Sequence, residues 1–178
     1  MGSPVQVWLA SAGARPRATA HELLLKLAGT LVDRPALTHD ETGRPRIAGL
    51  AVSLSYTQQW VVVAASSDGP LGVDLEELRP RDFQPLADRW YTPQERDWLR
   101  AQPDQLIAFL RLWTAKEAVG KALGLGLHHA GLRREMPLDA GPVESAPGLR
   151  LSYLPHEHAV LAVAAPRSAI IEPRVTDS

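Results

Sequence analysis

The sequence predicts an α+β fold made of two similar α+β halves in a pseudo-two-fold arrangement. Three observations carry this. Short strand-like runs are interspersed with helix-like runs along 178 residues, a length that suits one domain or two small halves sharing a core. A hairpin pattern occurs twice. Leu54-Ser55-Tyr56 precedes Trp60 to Ala65, and Leu151-Ser152-Tyr153 precedes Ala159 to Ala164, with spacings that differ by two residues. Finally, a helical pattern lies ahead of each hairpin. Two unrelated hairpins would also satisfy the repeat. Two halves packed about an axis would leave a cleft between them, a common place for a ligand. The expected division is 1–70 and 71–178.

The elements follow in order. Pro4 to Ala10 alternates as a strand. His21 to Val32 reads as a helix with Thr19 as its cap, followed by turn-rich residues to Gly43-Arg44-Pro45. Leu50 to Leu54 and Trp60 to Ala65 read as paired strands, and Gly72 to Glu76 as a short strand broken by Arg79-Pro80-Arg81. Phe83 to Trp90 and Pro93 to Ala101 have helical character, the second capped by Thr92. Asp104 to Leu123 is the longest helical pattern, closed by Gly124 and Gly126. Leu149 to Leu154 and Ala159 to Ala165 form a closing hairpin, and the tail after Ile171 is expected to fray.

Composition excludes several classes of function. Nineteen basic and 20 acidic residues give a formal net charge of −1, which does not attract nucleic acid or an anionic membrane. The absence of cysteine removes disulfide scaffolds, thiolate metal sites and cysteine nucleophiles. No apolar run has the length of a membrane span, and no basic-then-apolar leader opens the chain. Gln6 stands where a myristoylation signal needs Ser or Thr. A cytoplasmic protein is expected.

Two segments carry candidate chemistry. In Gly72-Val73-Asp74-Leu75-Glu76, strand alternation puts Asp74 and Glu76 on the same face. Two neighbouring carboxylates repel unless water or a cation neutralises them, and an all-oxygen set suits a hard cation such as Mg²⁺. The same pair also suits the wet face of an ordinary strand. In the long helix, Trp113, Glu117 and Lys121 fall on one stripe, with Lys116 at its edge. Glu117 and Lys121 could be a surface ion pair contributing about 0.3–0.5 kcal/mol. They also continue an apolar stripe of Phe109, Leu110 and Trp113, which would bring Glu117 to the rim of the core, in reach of Asp74 and Glu76.

These residues resemble the signatures of 4′-phosphopantetheinyl transferases. Gly72 to Glu76 is similar to G-[IV]-D-x-E, and Trp113-Thr114-Ala115-Lys116-Glu117-Ala118 with Lys121 to W-x-x-K-E-[AS]-x-x-K. Trp90 to Glu95 resembles F-[FY]-[ST]-x-x-E, Gly124 to Leu127 resembles G-x-G-L, and Gly43-Arg44-Pro45 resembles G-[KR]-P. Ser53 to Thr57 stands in place of N-[LIV]-S-H-[ST]. The length and the paired halves resemble the monomeric, pseudo-dimeric Sfp-like type.

The resemblance implies transfer of the phosphopantetheine arm of coenzyme A to a serine of an apo acyl or peptidyl carrier protein, with release of 3′,5′-ADP. It implies Mg²⁺ on Asp74, Glu76 and Glu117, with Glu117, Lys121 and Asp74 catalytic. Arg44, Pro45, Ser55, Tyr56, Lys116 and Lys121 are then the expected coenzyme-binding residues, Lys116 binding phosphate or holding Glu117. Two departures stand out. Tyr56 replaces the family histidine and brings no charge; Arg15 or Arg17 could supply it. Glu22 falls where relatives often carry arginine, and Lys26 lies one turn on.

Three rival readings remain. A metal-dependent nuclease shares the D-x-E and E, K residues but wants a basic surface. A non-catalytic coenzyme A or carrier-protein binder is motivated by Tyr56 and Glu22. A structural protein would leave both signatures coincidental. Arg100, Arg111, Arg133 and Arg134 are candidate contacts for an acidic carrier, and His128 with His129 is a candidate metal pair.

Overall fold

Two four-stranded sheets lie between outer helices in a computed structural model that describes residues 2–125 and 132–176. The first half supplies β1 (Pro4–Ser11), α1 (Pro16–Ala28), the small hairpin β2 (Thr38–His39) and β3 (Pro45–Arg46), then β4 (Ala51–Tyr56) and β5 (Trp60–Ser66). The second supplies β6 (Gly72–Glu77), α2 (Gln84–Trp90), α3 (Pro93–Arg100), α4 (Gln105–Ala122), β7 (Gly141–Pro142), β8 (Leu149–Leu154), β9 (Ala159–Pro166) and β10 (Ile170–Val175).

The strand order is β10-β1-β5-β4 in one sheet and β6-β9-β8-β7 in the other. Each contains the same three-strand core. The first strand (β1 or β6) pairs antiparallel with the second strand of a hairpin (β5 or β9), which pairs with the first (β4 or β8). The repeated Leu-Ser-Tyr segments fall on β4 and β8. The fold is α+β, as the alternation of elements predicts.

Strand alternation builds three cores. On β1, Trp8 and Ala10 pack beneath α1, while Val5, Val7 and Leu9 face the other sheet. On β9, Val160, Ala162 and Ala164 pack with α4, and Leu161 and Val163 face inward. On β5, Val61, Val63 and Ala65 pack with α1, and Val62 and Ala64 face inward, so β5 and β9 are apolar on both faces and Trp60 to Ala65 and Ala159 to Ala165 read as continuous apolar runs.

Three expectations need correction. The tail does not fray: Ile170–Val175 forms β10, parallel to β1 from Pro4↔Ile170 to Leu9↔Val175. The first sheet thus takes its outer strand from the end of the chain, and a cut between 70 and 71 does not separate the two sheets. Helix α1 starts five residues earlier than His21. Pro16 at its first turn is pre-set for the helix, and Thr19 sits inside it, its hydroxyl donating to Ala12 O at 2.8 Å. Thr92 does cap α3, through a reciprocal box in which Glu95 N donates to its hydroxyl and Thr92 N to the Glu95 carboxylate.

Candidate active site

The site begins with a glycine. A Cβ on Gly72 would stand 1.9 Å from Ala118 O and 2.7 Å from Ala122 N, so only glycine lets α4 lie directly on β6. Val73 and Leu75 then enter the core between the sheets, and the opposite face of β6 brings Asp74 beside Lys121 of α4. Helix α4 is N-capped by Asp104, which accepts from Ile107 N at 3.0 Å.

Strands β4 and β6 are edge strands of different sheets, and two serines join them. Ser53 Oγ accepts from Val73 N at 3.0 Å and Ser55 Oγ from Leu75 N at 3.3 Å. Edge amides of β6 that a neighbouring strand would otherwise pair are satisfied by side chains instead. Lys121 crosses the same seam. Its Nζ donates to Asp74 Oδ1 at 2.8 Å, to Val73 O at 2.9 Å and to Leu54 O at 3.3 Å, which uses all three of its N–H bonds.

Negative charge accumulates here. Asp74 and Glu117 are buried and Glu76 is half-buried. Burial first, then Asp74 and Glu76, push the Glu117 carboxyl up to about 7, against the opposing pull of Lys121. Burial and Asp74 raise Glu76 too, partly offset by Arg81, which donates to it at 3.1 Å. Asp74 Oδ2 is buried with no hydrogen-bond partner among the described residues. Among those residues no three His, Asp or Glu side chains already converge as a metal cage. The donor set is nevertheless all oxygen, under-neutralised and holds one orphaned oxygen, properties that fit a hard divalent cation.

Two clefts meet at α4. The larger, about 570 Å³, is lined by Asp74, Glu76, Glu117, Lys121, Trp113 and Tyr56, with Arg79 and Arg81. The smaller, about 240 Å³, runs from Glu117 and Lys121 to Gly43, Arg44, Pro45 and Gly124. Gly124, at φ 71, ends α4 in a left-handed turn, and a Cβ there would stand 2.7 Å from Arg44 Nη1. The arginine thus lies over the negative end of the helix dipole.

The sequence profile of the 4′-phosphopantetheinyl transferase superfamily matches residues 70–157, which begin just before Asp74 and include all of α4. The chain is 34% identical over 169 residues to 4′-phosphopantetheinyl transferase HetI of Nostoc sp., covering 84% of this chain and 70% of that protein. This chain belongs to the 4′-phosphopantetheinyl transferase family. It is also 34% identical to the transferase gsp of Aneurinibacillus migulanus over 92 residues, 50% of this chain and 38% of that one. The Bacillus subtilis transferase is 34% identical over 105 residues, 56% and 43%.

Among the transferase signature residues, Lys116 requires correction. It is fully buried and does not face either cleft: its Nζ pairs with fully buried Glu95 at 2.8 Å and donates to Arg134 O at 2.6 Å. Glu95 also accepts from Met136 N at 2.8 Å. Lys116 thus lies away from the clefts and ties α4 to α3 and to residues 134–136. Lys116 lies about 100° around the helix from Glu117, whereas Lys121 shares its stripe.

Ser55 lines the larger cleft, but its hydroxyl is engaged, donating to Asp74 Oδ1 at 3.1 Å. Tyr56 is 42% exposed in the same cleft. Glu22 and Lys26 line a separate hollow with Trp8 and Thr176, and Arg15 and Arg17 another with His21. None of these four lines the clefts at α4.

Sequence reasoning overlooked Arg79 and Arg81, reading them only as a strand breaker; two arginines following two carboxylates were the available signal. Of the candidate carrier contacts, Arg100 pairs with Asp97, Arg111 with Asp139, Arg133 lies over Trp90, and Arg134 donates to Ser145 O. Gly126, Leu127, His128 and His129 lie outside the described residues. No helix among the described residues is long and apolar enough to cross a membrane.

Proposed function

We propose that this chain transfers the 4′-phosphopantetheine group of coenzyme A to a serine of an apo acyl or peptidyl carrier protein, releasing 3′,5′-ADP, with Mg²⁺ held by Asp74, Glu76 and Glu117. We further propose that it acts as a monomer in the cytoplasm, on carriers of polyketide or nonribosomal peptide assembly. The observation that carries the reading is the junction of the two clefts. Glu117 and Lys121 belong to both, so a ligand held at Arg44 and Pro45 can extend to the carboxylates without leaving the surface of α4.

Bound there, Mg²⁺ would supply Lewis-acid stabilisation of the pyrophosphate and neutralise the acidic cluster. The chain's own groups do the rest. Arg44, stiffened by Pro45, binds the nucleotide end. Glu117 takes the proton of the carrier serine as its oxygen bonds to the phosphorus that carries pantetheine. A carboxyl raised to about 7 has useful basicity at neutral pH. A bound cation would lower that basicity, so Glu117 would have to share its carboxylate between the ion and the serine. The bond from that phosphorus to the oxygen of the departing nucleotide breaks, and Lys121 balances the charge on the leaving phosphate. To do so it must give up one of its three present hydrogen bonds.

The test is intact mass spectrometry of an apo carrier protein incubated with this chain, coenzyme A and Mg²⁺. The carrier should gain one phosphopantetheine, and EDTA should abolish the gain. Coenzyme A binding without any mass gain would favour a non-catalytic binder; cleavage of plasmid DNA with Mg²⁺ would favour a nuclease.

A further inference from the structure

The oxygens of Asp74 are unequally used. Oδ1 accepts from Lys121 Nζ at 2.8 Å and Ser55 Oγ at 3.1 Å, while Oδ2 is buried and has no partner among the described residues. Such division of labour needs something to stop the carboxylate from rotating. We propose that Ser55 is a positioning residue that fixes which oxygen of Asp74 is offered to the divalent ion. The inference rests on the metal assignment above and extends it to a residue whose sequence motif pointed instead to coenzyme A.

A serine hydroxyl has one proton and two lone pairs. The Ser55 proton goes to Asp74, and a lone pair receives the Leu75 amide at 3.3 Å. The rotor is thereby locked from both ends. Ser53, two residues earlier on the same face of β4, takes the Val73 amide and holds the two strands in register. Ser55 is 9% exposed and Ser53 4%, so water competes weakly for either hydroxyl. Lys121 grips Oδ1 from α4, on the other side of the seam. Partners that orient a metal-ligating carboxylate typically matter 10- to 100-fold in metal affinity.

The test is a Mn²⁺ titration followed by electron paramagnetic resonance, with coenzyme A present, on the unchanged protein and on Ser55→Ala, Ser55→Thr, Ser53→Ala and Asp74→Asn. Ser55→Ala should weaken Mn²⁺ binding by about tenfold or more, and Ser55→Thr should restore it to within about twofold. Ser53→Ala loses a seam bond of the same kind without touching Asp74, and should keep the unchanged protein's Mn²⁺ affinity. Metal-free coenzyme A binding, read by tryptophan fluorescence, should be the same for Ser55→Ala as for the unchanged protein. Undiminished Mn²⁺ affinity in Ser55→Ala overturns the inference, as does an equal loss in Ser53→Ala. A loss confined to metal-free coenzyme A binding makes Ser55 a ligand contact instead. Equal Mn²⁺ binding by the unchanged protein and Asp74→Asn contradicts the metal assignment itself, and the role of Ser55 with it.

Discussion

Lys121 Nζ lies 2.8 Å from Asp74 Oδ1 and also donates to a backbone carbonyl of each sheet, Leu54 O and Val73 O. One ammonium therefore neutralises part of the acidic cluster and fastens the two sheets where their edges meet. Lys121→Met should cost stability as well as chemistry. Removing one partner of a largely buried pair and stranding two carbonyls should lower stability by about 2–4 kcal/mol. Calorimetry of the metal-free protein reads this directly; an unchanged melting temperature would mean the seam holds without Lys121.

Lys116 gives the opposite profile, because it faces away from the clefts. Lys116→Met leaves the fully buried Glu95 without its ammonium partner and should destabilise by about 3–5 kcal/mol. The double variant Lys116→Met with Glu95→Leu removes the stranded carboxyl and should regain part of that loss, seen as a partial return of the denaturation midpoint. Coenzyme A KM should be unaffected in any variant that folds.

Gly72 sets the distance between α4 and β6. Gly72→Ala places a methyl 1.9 Å from Ala118 O. Backbone cannot yield as a side-chain tip would, so a loss of about 3 kcal/mol or more is expected. Metal binding should fall with it as Glu117 is pushed from Asp74. Native melting and Mn²⁺ affinity in the purified variant would show that the helix can move away freely.

The Glu117 carboxyl, raised from 4.5 to about 7, makes stability depend on pH. Below 4.5 the group is neutral in folded and unfolded chains alike. Between 4.5 and about 7 the unfolded chain has given up the proton and the folded chain has not, so stability is lost as pH rises through this window. Glu117→Gln stays neutral throughout. In EDTA its melting temperature should therefore gain on the unchanged protein as pH climbs through 7 and level off above it. A difference that does not vary with pH would contradict the raised carboxyl.

Strand β10 is the part of the fold least legible in the sequence. Ile170–Val175 is short, carries Pro173 and Arg174, and is mostly exposed; its pairing with β1 spans nearly the whole chain, and no local pattern encodes such a contact. Ending the chain at Ala169 should expose the edge of β1 and promote association, measurable by light scattering. The site was more legible, because period-two alternation put Asp74 and Glu76 on one face and helical spacing put Glu117 and Lys121 on one stripe. Those rules also expose the error over Lys116, whose place beside Glu117 in sequence is not a place beside it in space. The engagement of Ser55 was hidden for another reason: it depends on two sheet edges meeting, which neither strand announces alone.

In the proposed reaction, acids from β6 and α4 act as one site. A double-mutant cycle on carrier modification checks this, with Asp74→Asn, Glu117→Gln and the pair together. Residues working on one centre are strongly non-additive. Each single change should slow modification by about 100-fold or more, and the double variant should be about as slow as the worse single. Losses that multiply would place Asp74 and Glu117 in separate roles and contradict the shared site.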